Sequence, residues 1–135
     1  VEVYWRLCTD GLIGSQDIYI RKYVPLVQYT TGMNGLPITK EFRVFICDGQ
    51  VVSGAYYWSG YEEVIGYLPS FDEVPQEFVQ KVLGRIGSKI RFYVVDIAQT
   101  VTGEWIIIEL NDGCMSGLSE NNPNTLYCRL CEVLS

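Results

Sequence analysis

Hydrophobic and polar positions alternate most cleanly in two stretches of the chain, and each predicts a β-hairpin. In the first, EFRVFIC and QVVSGAYYW flank Asp48-Gly49, a strong two-residue turn signal. Alternation puts Phe42, Val44 and Ile46 on one face and Arg43, Phe45 and Cys47 on the other. Gly54 weakens the second strand and marks a bulge or a close backbone approach. Arg43 is the odd residue, a charge inside an apolar strand. A buried charge needs a partner. Glu41, two residues away on the same face, is one option; an anionic ligand is the other.

The second hairpin occupies residues 90–113. Its strands, 92–97 and 105–111, are rich in β-branched and aromatic residues, with Thr102-Gly103 as turn chemistry between them. With the turn centred there, facing residues have numbers summing to 205, so Asp96 sits opposite Glu109. Opposed side chains have Cβ atoms roughly 4.5–5.5 Å apart. Asn111 lies on the same face, two residues beyond Glu109. Two opposed carboxylates repel, and a divalent cation between them reverses the sign. Asp, Glu and an amide oxygen are hard donors suited to Mg²⁺ or Mn²⁺. Mg²⁺ is usually shared with substrate phosphates, so a nucleotide is the natural partner. The plainer reading is a pair of strand-end carboxylates in a slipped register.

The remaining elements follow from composition and period. Residues 1–7 read as a short strand with Tyr4 and Trp5 as packing residues. Residues 17–23 read as another, which Pro25 ends. Arg21 and Lys22 are adjacent, so they point to opposite faces, one toward a ligand or both toward solvent. Residues 27–37 form a Thr/Gly/Asn loop that can lie over a site. Residues 60–70 are a connection. Residues 71–86 form a helix, with Asp72 as N-cap, Pro75 in the first turn, and Gly84 and Gly87 at its end. Val74, Phe78, Val79, Val82, Leu83 and Ile86 make its apolar stripe, and Glu77 and Lys81 an exposed i,i+4 pair. After a loop over 112–118, Asn122-Pro123 opens a last helix striped by Leu126, Leu130 and Leu134. The expected architecture is one α+β domain over 1–135, a mostly antiparallel sheet with helices packed on one face.

Composition narrows the chemistry. A net charge of −6 argues against nucleic-acid binding through phosphate neutralisation, but not against a nucleotide met by a metal and a few cations. No histidine is present, which excludes His-dependent triads and His zinc sites within this chain. The five cysteines are odd in number and scattered, which suits a reducing cytoplasm. Cys128 and Cys131 form a CxxC without a second pair and read as ordinary buried thiols. No segment is long and apolar enough to span a membrane, and no signal-peptide pattern is seen. The expected compartment is therefore the cytoplasm. The chain opens on Val1, as a processed product or part of a longer polypeptide would.

Taken together, these stretches resemble the ATP-grasp superfamily, and more narrowly its R-two-K clade. The matching segments are IYIRKYVPL (18–26), PITKEFRVFICDGQVVSGAYYW (37–58), FYVVDIA (92–98), GEWIIIELNDG (103–113) and SGL (116–118), in the family's order. The resemblance implies an ATP site between two α+β subdomains. It implies that Asp96, Glu109 and Asn111 hold one or two Mg²⁺ ions on the ATP phosphates, and that Arg43 clamps the transferred phosphoryl group. It puts Lys22, Tyr23 and Val24 in the adenine-binding segment, with Arg21 reaching phosphate. Two departures stand out. Only 17 residues precede Ile18 and none of them is the family's upstream phosphate-binding lysine, so either most of the N-terminal subdomain is missing, which is the expectation, or this group departs from the usual pattern. Thr31 to Gly35 is only a loose match to the glycine-rich phosphate loop.

The leading expectation is an ATP- and Mg²⁺-dependent carboxylate–amine or carboxylate–thiol ligase domain, acting through an acyl phosphate, with a peptide or protein as one acceptor class. The alternative is a non-catalytic domain of the same shape, with Tyr56, Tyr57, Trp58 and Tyr61 as its contact surface. A phosphotransferase would use the same metal residues. A sheet face left exposed by a missing subdomain would favour a homodimer.

Overall fold

The computed structural model describes residues 2–11 and 14–135. Its centre is a four-stranded antiparallel sheet in the order β4-β3-β5-β6, with β3 Glu41–Cys47, β4 Gln50–Tyr56, β5 Phe92–Gln99 and β6 Trp105–Asp112. Both expected hairpins are present. Asp48 (φ 46°) and Gly49 (φ 75°) supply the two left-handed residues that a tight hairpin turn needs. Gly54 faces the ring of Phe71, and a Cβ there would lie 2.6 Å from Phe71 Cδ1. The glycine therefore marks a close approach, while the bulge in this pair falls between Phe45 and Ile46.

Every residue of β3 is buried, so both faces of the sheet must be covered. One face carries Phe42, Val44, Ile46, Tyr56, Val95 and Ile97. Helix α3, Gln76–Ile86, lays Phe78, Val79, Val82, Leu83 and Ile86 on it, the stripe expected from the 3.6-residue period. The other face carries Phe45, Cys47, Val52 and Val94 under helix α4, Pro123–Leu134. Helices thus lie on both faces, where one was expected. Asn122 caps α4 through Thr125 N–H, with Pro123 in the first turn. The stripe of α4 is Leu126, Leu130 and Val133; Leu134 is exposed instead. Cys128 and Cys131 also face outward, so they are not the buried thiols expected; Cys47 is the buried one.

Local composition misled elsewhere. The expected strand over 1–7 is instead helix α1, Glu2–Thr9; Val1 lies outside the described residues. Glu2 and Arg6 close an i,i+4 pair at 2.6 Å, and Thr9 Oγ1 donates back to the carbonyl of Trp5. Tyr4 and Trp5 stay exposed rather than packed. Residues 17–23 form no ladder, because no strand edge meets them; Tyr19, Ile20 and Tyr23 are all more than four-fifths exposed. The chain joins the sheet only at Leu26, which bridges Thr100. The expected loop over 27–37 is a small hairpin, β1 Gln28–Thr31 paired with β2 Pro37–Thr39. The connection over 60–70 contains one helical turn, α2 Glu62–Ile65, closed by Gly66 at φ 87°. Residues 71–73 are a 3₁₀ turn, so α3 starts only at Gln76. Ser70, not Asp72, caps that turn: its Oγ accepts from Asp72 N–H, and its own N–H donates to Glu73 Oε1 at 3.0 Å. Glu77 and Lys81 form no ion pair; Lys81 leans over a groove beside β6. No helix among the described residues is long and apolar enough to cross a membrane.

Candidate functional site

One charged row crosses the sheet under α4's side. Arg43 on β3 pairs with Asp96 on β5, and Asp96 pairs with Glu109 on β6. The expected opposition of Asp96 and Glu109 is therefore present. Its origin is subtler than a regular ladder. Next to the turn the pairs are Gln99 with Trp105, Ala98 with Ile106 and Ile97 with Ile107. A β-bulge between Asp96 and Ile97 leaves Ile108 as the extra residue on β6, and this sets the register that brings Glu109 opposite Asp96.

Arg43 takes its partner from across the sheet. Its Nε donates to Asp96 Oδ1 at 2.9 Å and its Nη2 to Asp96 Oδ2 at 2.6 Å, a bidentate fork. Glu41, the expected same-strand partner, is not bonded to it. Nη1 donates to the carbonyl of Gly117 at 3.0 Å, and the guanidinium lies 4.7 Å from the centre of the Tyr57 ring. Glu109 Oε1 lies 3.9 Å from Nη2. The hydrogen bond to Asp96 holds the guanidinium more firmly charged than usual. Asp96 has no solvent exposure. Burial pushes its carboxyl above the ordinary range, the neighbouring Glu109 adds to this, and the Arg43 fork opposes both.

Glu41 belongs to the same neighbourhood, and sequence reasoning gave it no role beyond serving Arg43. It is 7% exposed. Thr39 Oγ1 donates to its Oε2 at 3.0 Å, and Trp58 Nε1 donates to that Thr39 oxygen at 3.1 Å. Burial pushes its carboxyl up to about 7, assisted by Asp96 and Glu109 and resisted by Thr39 and Arg43. A carboxyl raised from 4.5 in the unfolded chain binds its proton more tightly when folded. Its contribution to stability is complete below pH 4.5 and is lost as pH rises toward 7. Glu41→Gln should remove this slope and raise stability at pH 8 by up to about 3 kcal/mol. Urea unfolding at pH 5 and pH 8 checks it; parallel pH profiles of the two proteins would refute it.

Two clefts flank the row. The first, of about 510 Å³, lies between Arg21, Lys22, Tyr23 and Val24 and the strand segment Ile106, Ile107 and Ile108. It brings the expected adenine-binding residues against β6, and Ile108 adjoins Glu109 in the chain. The second, of about 390 Å³, is lined by Arg43, Asn111, Asp112, Met115, Ser116 and Gly117. Its loop is held internally: Asp112 Oδ1 accepts from Cys114 N–H, and Asp112 O accepts from Ser116 Oγ, each at 2.7 Å. Asn121, buried and absent from the sequence reasoning, fastens this loop to the sheet. Its Nδ2 donates to Arg43 O at 3.1 Å and Leu118 O at 3.0 Å, and its Oδ1 accepts from Ser53 Oγ. No local signal marks its hold on the sheet, because Arg43 and Ser53 are distant in the chain.

The donors suit a hard divalent cation. Asn111 Nδ2 donates to Glu109 Oε1 at 2.7 Å, which leaves the Asn111 amide oxygen and the other Glu109 oxygen uncommitted. Each Asp96 oxygen accepts one bond from Arg43 and keeps a further lone pair. Three carboxylates, Glu41, Asp96 and Glu109, share the neighbourhood with one guanidinium, an imbalance that a cation relieves. Among the described residues, no three His, Cys, Asp or Glu side chains cluster as a metal cage by themselves. Thr31 to Gly35 forms the tip of the small hairpin, where Gly32 sits against Tyr61 and Ile38. Of the four aromatics considered as a contact surface, Tyr56 is buried, Tyr57 and Trp58 are engaged by Arg43 and Thr39, and Tyr61 stays partly exposed.

A family model described as an ATP-grasp domain, R-two-K clade family 3, matches residues 2–130. No curated protein and no solved structure gives a significant match.

Proposed function

Because the chain belongs to family 3 of the R-two-K clade of ATP-grasp domains, a superfamily of ATP-binding, ligase-type proteins, we propose that it is an ATP- and Mg²⁺-dependent ligase domain joining a carboxylate to an amine or thiol. The observation that carries this reading is the Arg43–Asp96–Glu109 row with Asn111 beside it, set between two clefts. The base and ribose of ATP would lie in the cleft of Lys22, Tyr23, Val24 and Ile106 to Ile108, with Arg21 turned to phosphate. Glu109 and Asn111, backed by Asp96, would hold Mg²⁺, which neutralises phosphate charge when bound. Arg43 would grip the transferred phosphoryl group as the acceptor carboxylate attacks the γ-phosphorus and ADP leaves. The resulting acyl phosphate would then meet the nucleophile, which loses a proton and displaces phosphate. The second cleft, beside Arg43 and Ser116, has room for the acceptor. A non-catalytic version of the domain is the second reading, favoured by the closed Arg43–Asp96 pair.

The test is calorimetric titration with a non-hydrolysable ATP analogue, with and without Mg²⁺. Saturable binding that requires Mg²⁺ is the expected result. Binding that ignores the metal, or none up to about 1 mM, the weak end of specific association, would overturn the site. Binding followed by no ADP release with any carboxylate would favour the non-catalytic reading.

A further inference from the structure

Strand β6 is an edge of the sheet. Among the described residues, the backbone of 105–111 makes no hydrogen bond outside its pairing with β5. Such an edge is a template for another strand. Proteins usually guard one with lysine or proline, and WIIIELND has neither. The bulge at Ile108 and the carboxylate of Glu109 close the second half, so the open stretch is Trp105 to Ile107.

A groove of about 800 Å³ runs along that stretch on the α3 side. Phe78, Val82, Trp105 and Ile107 give it an apolar floor; Lys81 and Arg85, one turn apart on α3, stand at its rim. The charge pattern is pointed. Of the ten basic residues, Arg6, Lys40, Arg43, Arg91 and Arg129 are in ion pairs. Arg21, Lys22, Lys81, Arg85 and Lys89 pair with no acid among the described residues, and four of these line the two grooves beside β6. On a chain of net charge −6, cations left unpaired around an apolar groove select an acidic partner.

We propose that the open half of β6, with the groove between it and α3, docks an acidic extended peptide segment that adds a strand to the sheet. Backbone pairing supplies affinity, and every second side chain, on the α3 face, meets the apolar floor or the Lys81–Arg85 rim. A second copy of the chain fits poorly. Antiparallel pairing of two β6 edges by a two-fold axis normal to the sheet puts both α3 helices on one face. The two cationic rims would then oppose each other. The surface shares Ile106 and Ile107 with the proposed nucleotide cleft, so it is tested without nucleotide.

The probe is a fluorescein-labelled decapeptide of repeating Val-Val-Glu-Glu, which puts both residue types on each face, followed by anisotropy. Saturable binding is expected, with added hydrogen-exchange protection at Trp105 and Ile107, whose N–H groups point away from β5. It should weaken at least about tenfold in Lys81→Glu/Arg85→Glu, and as much for the same peptide N-methylated at alternate residues. Glutamates at 77, 81 and 85 repel along one helix face. Lys81→Gln/Arg85→Gln therefore serves as a second variant, with the same expected direction. No saturable binding, equal binding of the N-methylated peptide, or equal binding by the Gln variant would overturn the proposal. So would a dimer in sedimentation whose β6 amides are protected without peptide.

Discussion

Arg43→Ala should lower stability by about 3–5 kcal/mol, because the deletion strands a buried carboxylate. Asp96 is shielded from water, and the Arg43 fork satisfies both its oxygens. Without the guanidinium, Asp96 sits among Glu41 and Glu109 with no compensating charge. Its one escape is to bind a proton, so the variant should regain stability on acidification. The penalty belongs to the unpaired ion, not to the bond as such. Arg43→Met combined with Asp96→Leu should therefore recover most of the loss. Urea unfolding of the single and double variants at pH 5 and pH 8 measures all of this. A loss below about 1 kcal/mol in Arg43→Ala would mean that the pair behaves as a solvated surface bridge.

The same residues show what can be read from sequence and what cannot. The two hairpins were legible because Asp48-Gly49 and Thr102-Gly103 are local turn chemistry between β-rich runs. The opposition of Asp96 and Glu109 was legible for an incomplete reason: the pairs nearest the turn run one residue out of the assumed register, and the bulge at Ile108 brings the far half into it. Bulges leave little trace in a hydrophobic pattern. The partner of Arg43 was not legible, since strand periodicity orders residues within a strand but does not say which strand lies beside it. Asp96 is 53 residues away. One missed signal was present. Apart from Glu41 and Arg43, β3 is apolar on both faces, which calls for cover on both sides and so for α4 opposite α3. Residues 17–23 failed in the other direction. Their composition is that of a strand, but a strand also needs a neighbour, and Tyr19, Ile20 and Tyr23 have none among the described residues. The ATP-grasp resemblance, carried by motif order rather than by any single element, survived these local errors, and the family match over 2–130 agrees with it.

Glu109→Gln should have the opposite profile to Arg43→Ala, with binding lost and stability kept. The Glu109 side chain is half exposed, and its near polar contacts are the Asn111 amide at 2.7 Å, Arg43 at 3.9 Å and the opposed Asp96 carboxyl, whose repulsion the neutral amide removes. A neutral, isosteric replacement leaves no buried group unpaired, so stability should change by less than about 0.5 kcal/mol. Metal affinity is another matter. Mg²⁺ depends on carboxylate charge, and loss of even an outer partner to a metal ligand costs about 10–100-fold. Removing a direct carboxylate should cost at least about 100-fold in Mg²⁺-dependent nucleotide affinity. Glu104→Gln, an exposed change on the same hairpin, is the control and should alter neither property. Mn²⁺ titration followed by electron paramagnetic resonance, with and without the ATP analogue, reads the metal site without requiring turnover. Unchanged Mn²⁺ affinity in Glu109→Gln would remove this residue from the metal site. The contrast between the two variants would separate the roles proposed within the row: Arg43 and Asp96 form the buried pair at the centre of the sheet, while Glu109 and Asn111 lie at its exposed end.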